Sequence, residues 1–217
     1  MENSAKSSES SSKGGWIFFL VGFVGALFVG WVIFPMVLYS KQVQPVNFDH
    51  ALHMSEDVGI EGDTEVDKCL YCHGFRDDGQ FVGIPKLAKC MECHDNPESP
   101  LGKTSQEKEF LTKYVAEDKE VPWLSYYRQP ECVYFAHISH VKMTQLGCKV
   151  CHGDFGMSKS LPVYEENRLT GYSRYIWGKH ISGYKKYPWE SMKMDDCANC
   201  HAKMGQEKNN ACFVCHK

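Results

Sequence analysis

The longest apolar run in the chain, Trp16 to Tyr39, reads WIFFLVGFVGALFVGWVIFPMVLY and carries no charge. As a helix it would reach about 36 Å, enough to cross the hydrocarbon core of a bilayer with some tilt. A cleaved signal peptide has a shorter apolar region and ends on a small-residue cleavage site, and no A-x-A-like site follows here. The run is therefore expected to be a retained transmembrane helix over 16–39. Before it lies a polar, serine-rich tail over 1–15, in which Lys6 and Lys13 balance Glu2 and Glu9. Trp16, Trp31 and Tyr39 are of the type found at membrane interfaces. Gly22, Gly25 and Gly30 leave thin places where a partner helix can approach, and Pro35 is placed to bend the last turns.

Past residue 40 the pattern changes. No second span follows and no strand-like alternation is sustained, so residues 40–217 read as one domain of short helices and loops. Cysteine organises it. Cys-x-x-Cys-His occurs five times, at Cys69-Cys72-His73, Cys90-Cys93-His94, Cys148-Cys151-His152, Cys197-Cys200-His201 and Cys212-Cys215-His216. Each is the attachment signature of a c-type haem: two thiols add to the porphyrin vinyl groups, and the next imidazole binds the iron. Structural zinc joins two Cys-x-x-Cys pairs, which would leave the fifth pair over and the five histidines unexplained. A thioredoxin-like redox motif would not recur five times, and two-residue spacings make a poor disulfide framework.

Haem attachment fixes the topology. The expected fold is a multihaem cytochrome c, mostly short helices and loops wrapped around five haem c groups, with one N-terminal transmembrane helix. The tail over 1–15 is then cytoplasmic. The domain over 40–217 is periplasmic, anchored by a single pass in a bacterial inner membrane. Some 36 residues per cofactor cannot build an ordinary core, so the macrocycles must supply much of the interior and the apo-chain should be largely unfolded. The two motifs nearest in sequence, at Cys197 and Cys212, are expected to be close neighbours.

Residues 45–53, PVNFDHALH, and 132–140, CVYFAHISH, share Val-x-Phe-x-His-x-x-His, and each precedes an attachment motif. Histidines three apart lie near one side of a helical turn and can serve two different irons. Phe48 and Phe135 are expected to pack on porphyrin or between planes. Beyond the motif histidines the chain holds His50, His53, His137, His140 and His180, the number that five bis-histidine irons require. An iron so filled has no site for substrate and passes electrons only; no catalytic constellation stands out. Cys132 is the unpaired eleventh cysteine. It is either a free thiol or the anchor of a sixth haem held through a single thioether, with His137 or a nearby histidine as axial ligand. Six irons exceed the histidine supply, which makes Met54, Met143, Met157, Met192, Met194 and Met204 candidate ligands.

The Val-x-Phe-x-His-x-x-His stretch followed by Cys-x-x-Cys-His resembles the tetrahaem cytochrome c3 group, in which such histidines are distal ligands of different haems. The single anchor, the repeat, the YSRYIWG run at 172–178 and the clustered last two motifs resemble more closely a membrane-anchored multihaem subunit. That subunit is shared by the menaquinone reductase complex of sulfate-reducing bacteria and by alternative complex III. The resemblance to the menaquinone reductase subunit implies a hexahaem subunit that takes electrons from periplasmic cytochrome c3. Its partners would be iron–sulfur, molybdoenzyme-like and polytopic quinone-binding subunits. The resemblance to the alternative complex III subunit implies a pentahaem subunit carrying electrons from quinol outward. A quinol dehydrogenase of nitrite or nitrate respiration resembles the chain in its anchor but has four motifs.

Charge adds a smaller point. The chain is formally −3, and residues 56–67, EDVGIEGDTEVD, carry six carboxylates and no base. Such a run is either a solvated loop or a docking surface for a lysine-rich donor. Trp123, Tyr126, Tyr127, Trp177, Tyr187 and Trp189 suit subunit interfaces or haem clefts. Basic residues are scattered among acids, so nucleic-acid binding has no support.

Overall fold

The computed structural model describes residues 10–102, 104–127, 131–169 and 193–216. In it the apolar run is a nearly continuous helical rod: α1 (Ser10–Phe28), a wide π-helical turn (Val29–Ile33) and α2 (Phe34–Leu38). The wide turn has a local cause. Pro35 has no N–H to return to the carbonyl four residues earlier. The turn widens so that the Phe34 N–H reaches the Val29 carbonyl, and proline falls at the start of α2, where its missing donor is tolerated. Gly15–Leu38 is long and apolar enough to cross a membrane, and side chains such as Phe18 and Phe23 face outward along it.

A short ribbon joins the foot of the rod to the domain. β1 (Tyr39–Gln42) pairs antiparallel with β2 (Tyr164–Asn167), Tyr39 opposite Asn167 and Gln42 opposite Tyr164. The Gln42 side-chain amide donates to Glu166 Oε2 at 3.1 Å, and the Arg168 N–H donates to the Leu38 carbonyl at 2.8 Å. This ribbon departs from the strand-free expectation. Its strands, YSKQ and YEEN, are four residues each and show no apolar alternation, so nothing local marks them. Their pairing is a contact between segments more than a hundred residues apart.

Much of the domain follows the expected pattern of short helices. They are α3 (His50–His53), α4 (Glu65–Cys72), α5 (Leu87–Cys90), α6 (Ser105–Phe110), α7 (His137–Val141), α8 (Lys149–His152), α9 (Met194–Lys203) and α10 (Cys212–Cys215). Their ends have local chemistry. Thr64 and Asp67 form a reciprocal capping box at the start of α4, and the Asp49 carboxylate accepts the Leu52 N–H to start α3. Gly153, at φ 73°, closes α8 in the left-handed region that glycine enters freely.

The interior is less dependent on cofactor than expected in one place. Leu87, Phe110, Leu111, Tyr114, Val115 and Val121 form a buried cluster, with Val46, Cys90, Met91 and Trp123 packed against it. A second π-helical turn (Leu111–Val115) continues α6 and turns Leu111 and Tyr114 inward. Burying each such side chain stabilises the fold by roughly 1.5–3 kcal/mol. Two polar clamps hold this cluster to neighbouring chain. The Gln44 amide donates to the Leu124 carbonyl at 2.7 Å and accepts the Leu124 N–H at 3.0 Å. Glu120 accepts the Leu87 N–H at 2.9 Å.

Candidate haem-attachment sites

In each attachment motif the cysteine spacing of three puts both thiols on one side of a helical turn, with the histidine immediately after. The first motif ends α4, the second runs from the end of α5, the third covers α8, the fourth lies within α9 and the fifth covers α10.

The histidines then come together in pairs. Ring centroids lie 6.2 Å apart for His53 and His94, 6.3 Å for His137 and His152, and 6.2 Å for His140 and His201. An imidazole nitrogen binds a metal at about 2.0–2.1 Å and lies about 1.1 Å from its ring centroid. Two rings flanking one ion therefore stand about 6.2–6.4 Å apart. Each pair is spaced for one iron between its rings, and each joins a motif histidine to a histidine outside the motifs. His50 lies within electrostatic range of His73, the remaining motif histidine of the N-terminal half. His180 lies outside the described residues. Among the described residues no three histidine, cysteine or acidic side chains converge as a tetrahedral metal site requires.

The two Phe-x-His-x-x-His segments adopt the same arrangement. Phe48 stacks on His53 (4.2 Å, 23°) and meets His50 edge-on (4.7 Å, 78°). Phe135 stacks on His140 (4.5 Å, 25°) and meets His137 edge-on (4.9 Å, 89°). In each, the second histidine gives its Nδ1–H to the carbonyl four residues earlier, His53 to Asp49 at 2.7 Å and His140 to Ala136 at 3.0 Å. The phenylalanines thus brace the imidazoles themselves, a closer role than the porphyrin packing expected for them.

Other rings are pinned by the same nitrogen. Nδ1 donates from His73 to the Gly83 carbonyl at 2.7 Å, from His201 to Asn210 Oδ1 at 3.0 Å and from His216 to the Cys132 carbonyl at 3.2 Å. A donor at Nδ1 leaves the Nε2 lone pair free to bind a metal and fixes the ring's direction. Burial, then neighbouring histidines, push His50 and His152 down to about 4; burial also lowers His137. These rings are neutral at neutral pH, which is the form that ligates iron.

Thiol neighbours put the motifs in a row. Burial raises Cys90 and Cys72, and each also feels a thiol of the other's motif, Cys72 in one case and Cys93 in the other. Cys69 and Cys148 are hydrogen-bonded, with Glu65 and Lys149 ion-paired at 2.5 Å beside them. Cys151 feels Cys200, and Cys197 feels Cys151 and Cys215. The spatial order is second, first, third, fourth, fifth. α3 reaches the second and first motifs, and α7 the third and fourth. Cys132 lies beside the fifth: Tyr134 N–H donates to the Cys215 carbonyl at 2.7 Å, and Val133 bridges His216. Its thiol is exposed. His137, one of the histidines expected near Cys132, faces His152 at 6.3 Å.

Other expected residues are distributed less evenly. Met143, Met157, Met194 and Met204 are exposed, Met54 is half-buried, and Met192 lies outside the described residues. Trp123 packs on the apolar cluster, Tyr126 meets Tyr164 edge-on at 5.8 Å, and Tyr127 meets His152 at 4.7 Å. All three are half-buried. Trp177, Tyr187, Trp189 and the run at 172–178 lie outside the described residues. In the acidic run, Glu56 pairs with Lys68 at 2.6 Å, Glu65 with Lys149, and Asp67 caps α4. Asp57, Glu61 and Asp63 have no such assignment among the described residues. Glu107, which accepts the His94 Nδ1–H at 2.9 Å, went unnoticed in the sequence. Its one signal there is a Thr104-x-x-Glu107 helix start, which hides it as a capping residue.

Residues 133–217 match the family model for cytochrome c7 and related cytochrome c. Over 94% of its length the chain is 39% identical to a protein of Nitratidesulfovibrio vulgaris, the menaquinone reductase multiheme cytochrome c subunit, and spans 91% of that protein.

Proposed function

The chain belongs to the multihaem cytochrome c subunits of menaquinone reductase, and from that premise we propose that it carries electrons within a menaquinone-reducing membrane complex. The observation that carries the reading is the row of motifs in which three imidazole pairs stand 6.2–6.3 Å apart. Covalently held haem c supplies one-electron oxidation and reduction at iron, with no substrate bond made or broken.

The residues of the chain hold and orient. Cys69 and Cys72, Cys90 and Cys93, Cys148 and Cys151, Cys197 and Cys200, and Cys212 and Cys215 fasten the five groups. His73, His94, His152, His201 and His216 would each hold one iron, with His50, His53, His137 and His140 as the second imidazole of the first, second, third and fourth sites. His180 is assigned to the fifth. Two imidazoles per iron exclude a small substrate, and the Nδ1 bonds and stacked phenylalanines keep the rings from turning when charge changes. Cys132 would hold a sixth group through one thioether, beside the fifth motif.

Residues 1–15 form a cytoplasmic tail, 16–39 the single membrane span, and 40–217 the periplasmic domain. The span's length and outward-facing apolar side chains support this. One span cannot enclose a quinone pocket, so quinone chemistry belongs to a polytopic partner, with iron–sulfur and molybdoenzyme-like subunits outside the membrane. A soluble periplasmic cytochrome c3 is the donor. The relative's reductase name favours this direction over the outward flow of alternative complex III. The test is the purified complex: given reduced cytochrome c3, it should reduce a menaquinone analogue. Haem reduction by a menaquinol analogue, without that forward reaction, would favour the opposite sense.

A further inference from the structure

The imidazoles of the described sites are not anchored alike. His53, His73, His140 and His216 donate Nδ1–H to backbone carbonyls, and His201 donates to a side-chain amide. His94 donates to a carboxylate. Its Nδ1 lies 2.9 Å from Glu107 Oε1, and the Glu107 side chain keeps only 9% of its exposure. The same carboxylate accepts the Leu101 N–H at 2.9 Å on Oε1 and the Gly102 N–H at 2.5 Å on Oε2.

Local sequence assigns Glu107 a different task. Thr104-Ser105-Gln106-Glu107 has capping-box spacing, in which the acid bonds back to the N–H of the capping residue. Half of that box forms, since Thr104 Oγ1 accepts the Glu107 N–H at 3.1 Å. The carboxylate turns to His94 and the 101–102 loop. α6 thus keeps its cap while a buried anion is held against one candidate iron ligand. Among the described residues, no other imidazole of the paired sites donates to a carboxylate.

We propose that Glu107 is a positioning residue that lowers the reduction potential of the haem at Cys90 and Cys93, an inference resting on the reading of that motif as a haem site. A negative acceptor draws the Nδ1 proton outward and raises electron density at Nε2, which makes a more basic ligand and favours oxidised iron. A buried anion adds direct attraction to the same oxidised state, since little water screens it. Neutral carbonyl acceptors do this less. The second motif ends the row, and its neighbour, the first, has His73 on the Gly83 carbonyl. Glu107 therefore lowers the potential of the second site relative to the first, where the acceptor is neutral.

The experiment is a redox titration of the haem-loaded full chain in its complex, followed by visible absorbance and electron paramagnetic resonance. Variants are Glu107→Gln, which keeps a neutral acceptor, Glu107→Asp, which keeps the charge, and Thr104→Ala, which removes the cap alone. Peptide mass mapping of residues 90–94 first checks that haem is attached there, which separates failure of the site reading from failure of this proposal. Glu107→Gln should move one haem to higher potential by about tenfold in its reduced-to-oxidised ratio, about 59 mV for a one-electron couple. Glu107→Asp should restore most of the shift, and Thr104→Ala should leave the titration unchanged. A Glu107→Gln titration that superimposes on the original overturns the proposal. So does an equal shift in Thr104→Ala, or loss of the haem from Glu107→Gln, since either makes Glu107 a structural residue only.

Discussion

Residues 87–121 and residues 131–163 each lie against attachment motifs, but they build their interiors from different material. The first segment holds six buried apolar side chains of its own. In the second, and again in 193–216, no described side chain is fully buried. The longest gap between motifs separates the second from the third, and there the chain has enough residues to form a small protein core. Where motifs crowd, at α7 through α10, imidazoles and the attached groups must fill the space. Dependence on cofactor is therefore graded along the chain, strongest toward the C-terminus.

The largest expected effect comes from removing cofactor on each side of that divide. Replacing Cys148 and Cys151 with serine should open residues 131–163 and 193–216 to protease, because no side chain described in those two stretches is fully buried without the attached groups. Replacing Cys90 and Cys93 should leave those two stretches protected and raise cleavage mainly around residues 90–102. Equal cleavage of both regions in both variants would erase the distinction.

A smaller effect tests the other half. Leu111→Ala removes a side chain with 1% exposure from the apolar cluster and should cost about 3 kcal/mol. It should lower the unfolding midpoint of 87–121 while leaving spectra of the third to fifth haems unchanged. A uniform loss across all haems would mean that the regions unfold as one unit.

These contrasts also explain what was legible beforehand. The attachment motifs and the His-x-x-His repeat are local spacings, and the apolar run declares itself by length. The ribbon between Tyr39–Gln42 and Tyr164–Asn167 is not legible, since each strand is short, polar and paired with a distant segment. The order of the motifs escaped for the same reason: the first motif touches both the second and the third, which lies 79 residues beyond it. His53 and His140 stand out in the sequence as candidate ligands, but which motif histidine each faces, His94 and His201, does not, because the pairing is made in space. Phe110 and Leu111 lie in a charged stretch whose apolar residues do not stand out from the acids and lysines around them.

The smallest effect concerns the surface. Asp57, Glu61 and Asp63 are the acids of the 56–67 run with no internal task among the described residues, so changing these three to Asn, Gln and Asn should slow reduction by cytochrome c3 at low salt. The change should be about tenfold or less and should flatten the salt dependence. Changing Glu56, Glu65 and Asp67 should instead loosen α4 and its contact with Lys149. Unchanged reduction rates in the first set at low ionic strength would leave the run as a solvated loop.

The central claim is that the chain is organised around covalently held haem at each Cys-x-x-Cys-His motif. Intact mass of the matured chain, with peptide mapping of every cysteine, tests it most directly. The account predicts haem on all five motifs and a sixth on Cys132 that is lost in Cys132→Ser. A matured chain whose motif peptides carry free thiols or zinc in place of haem would contradict it.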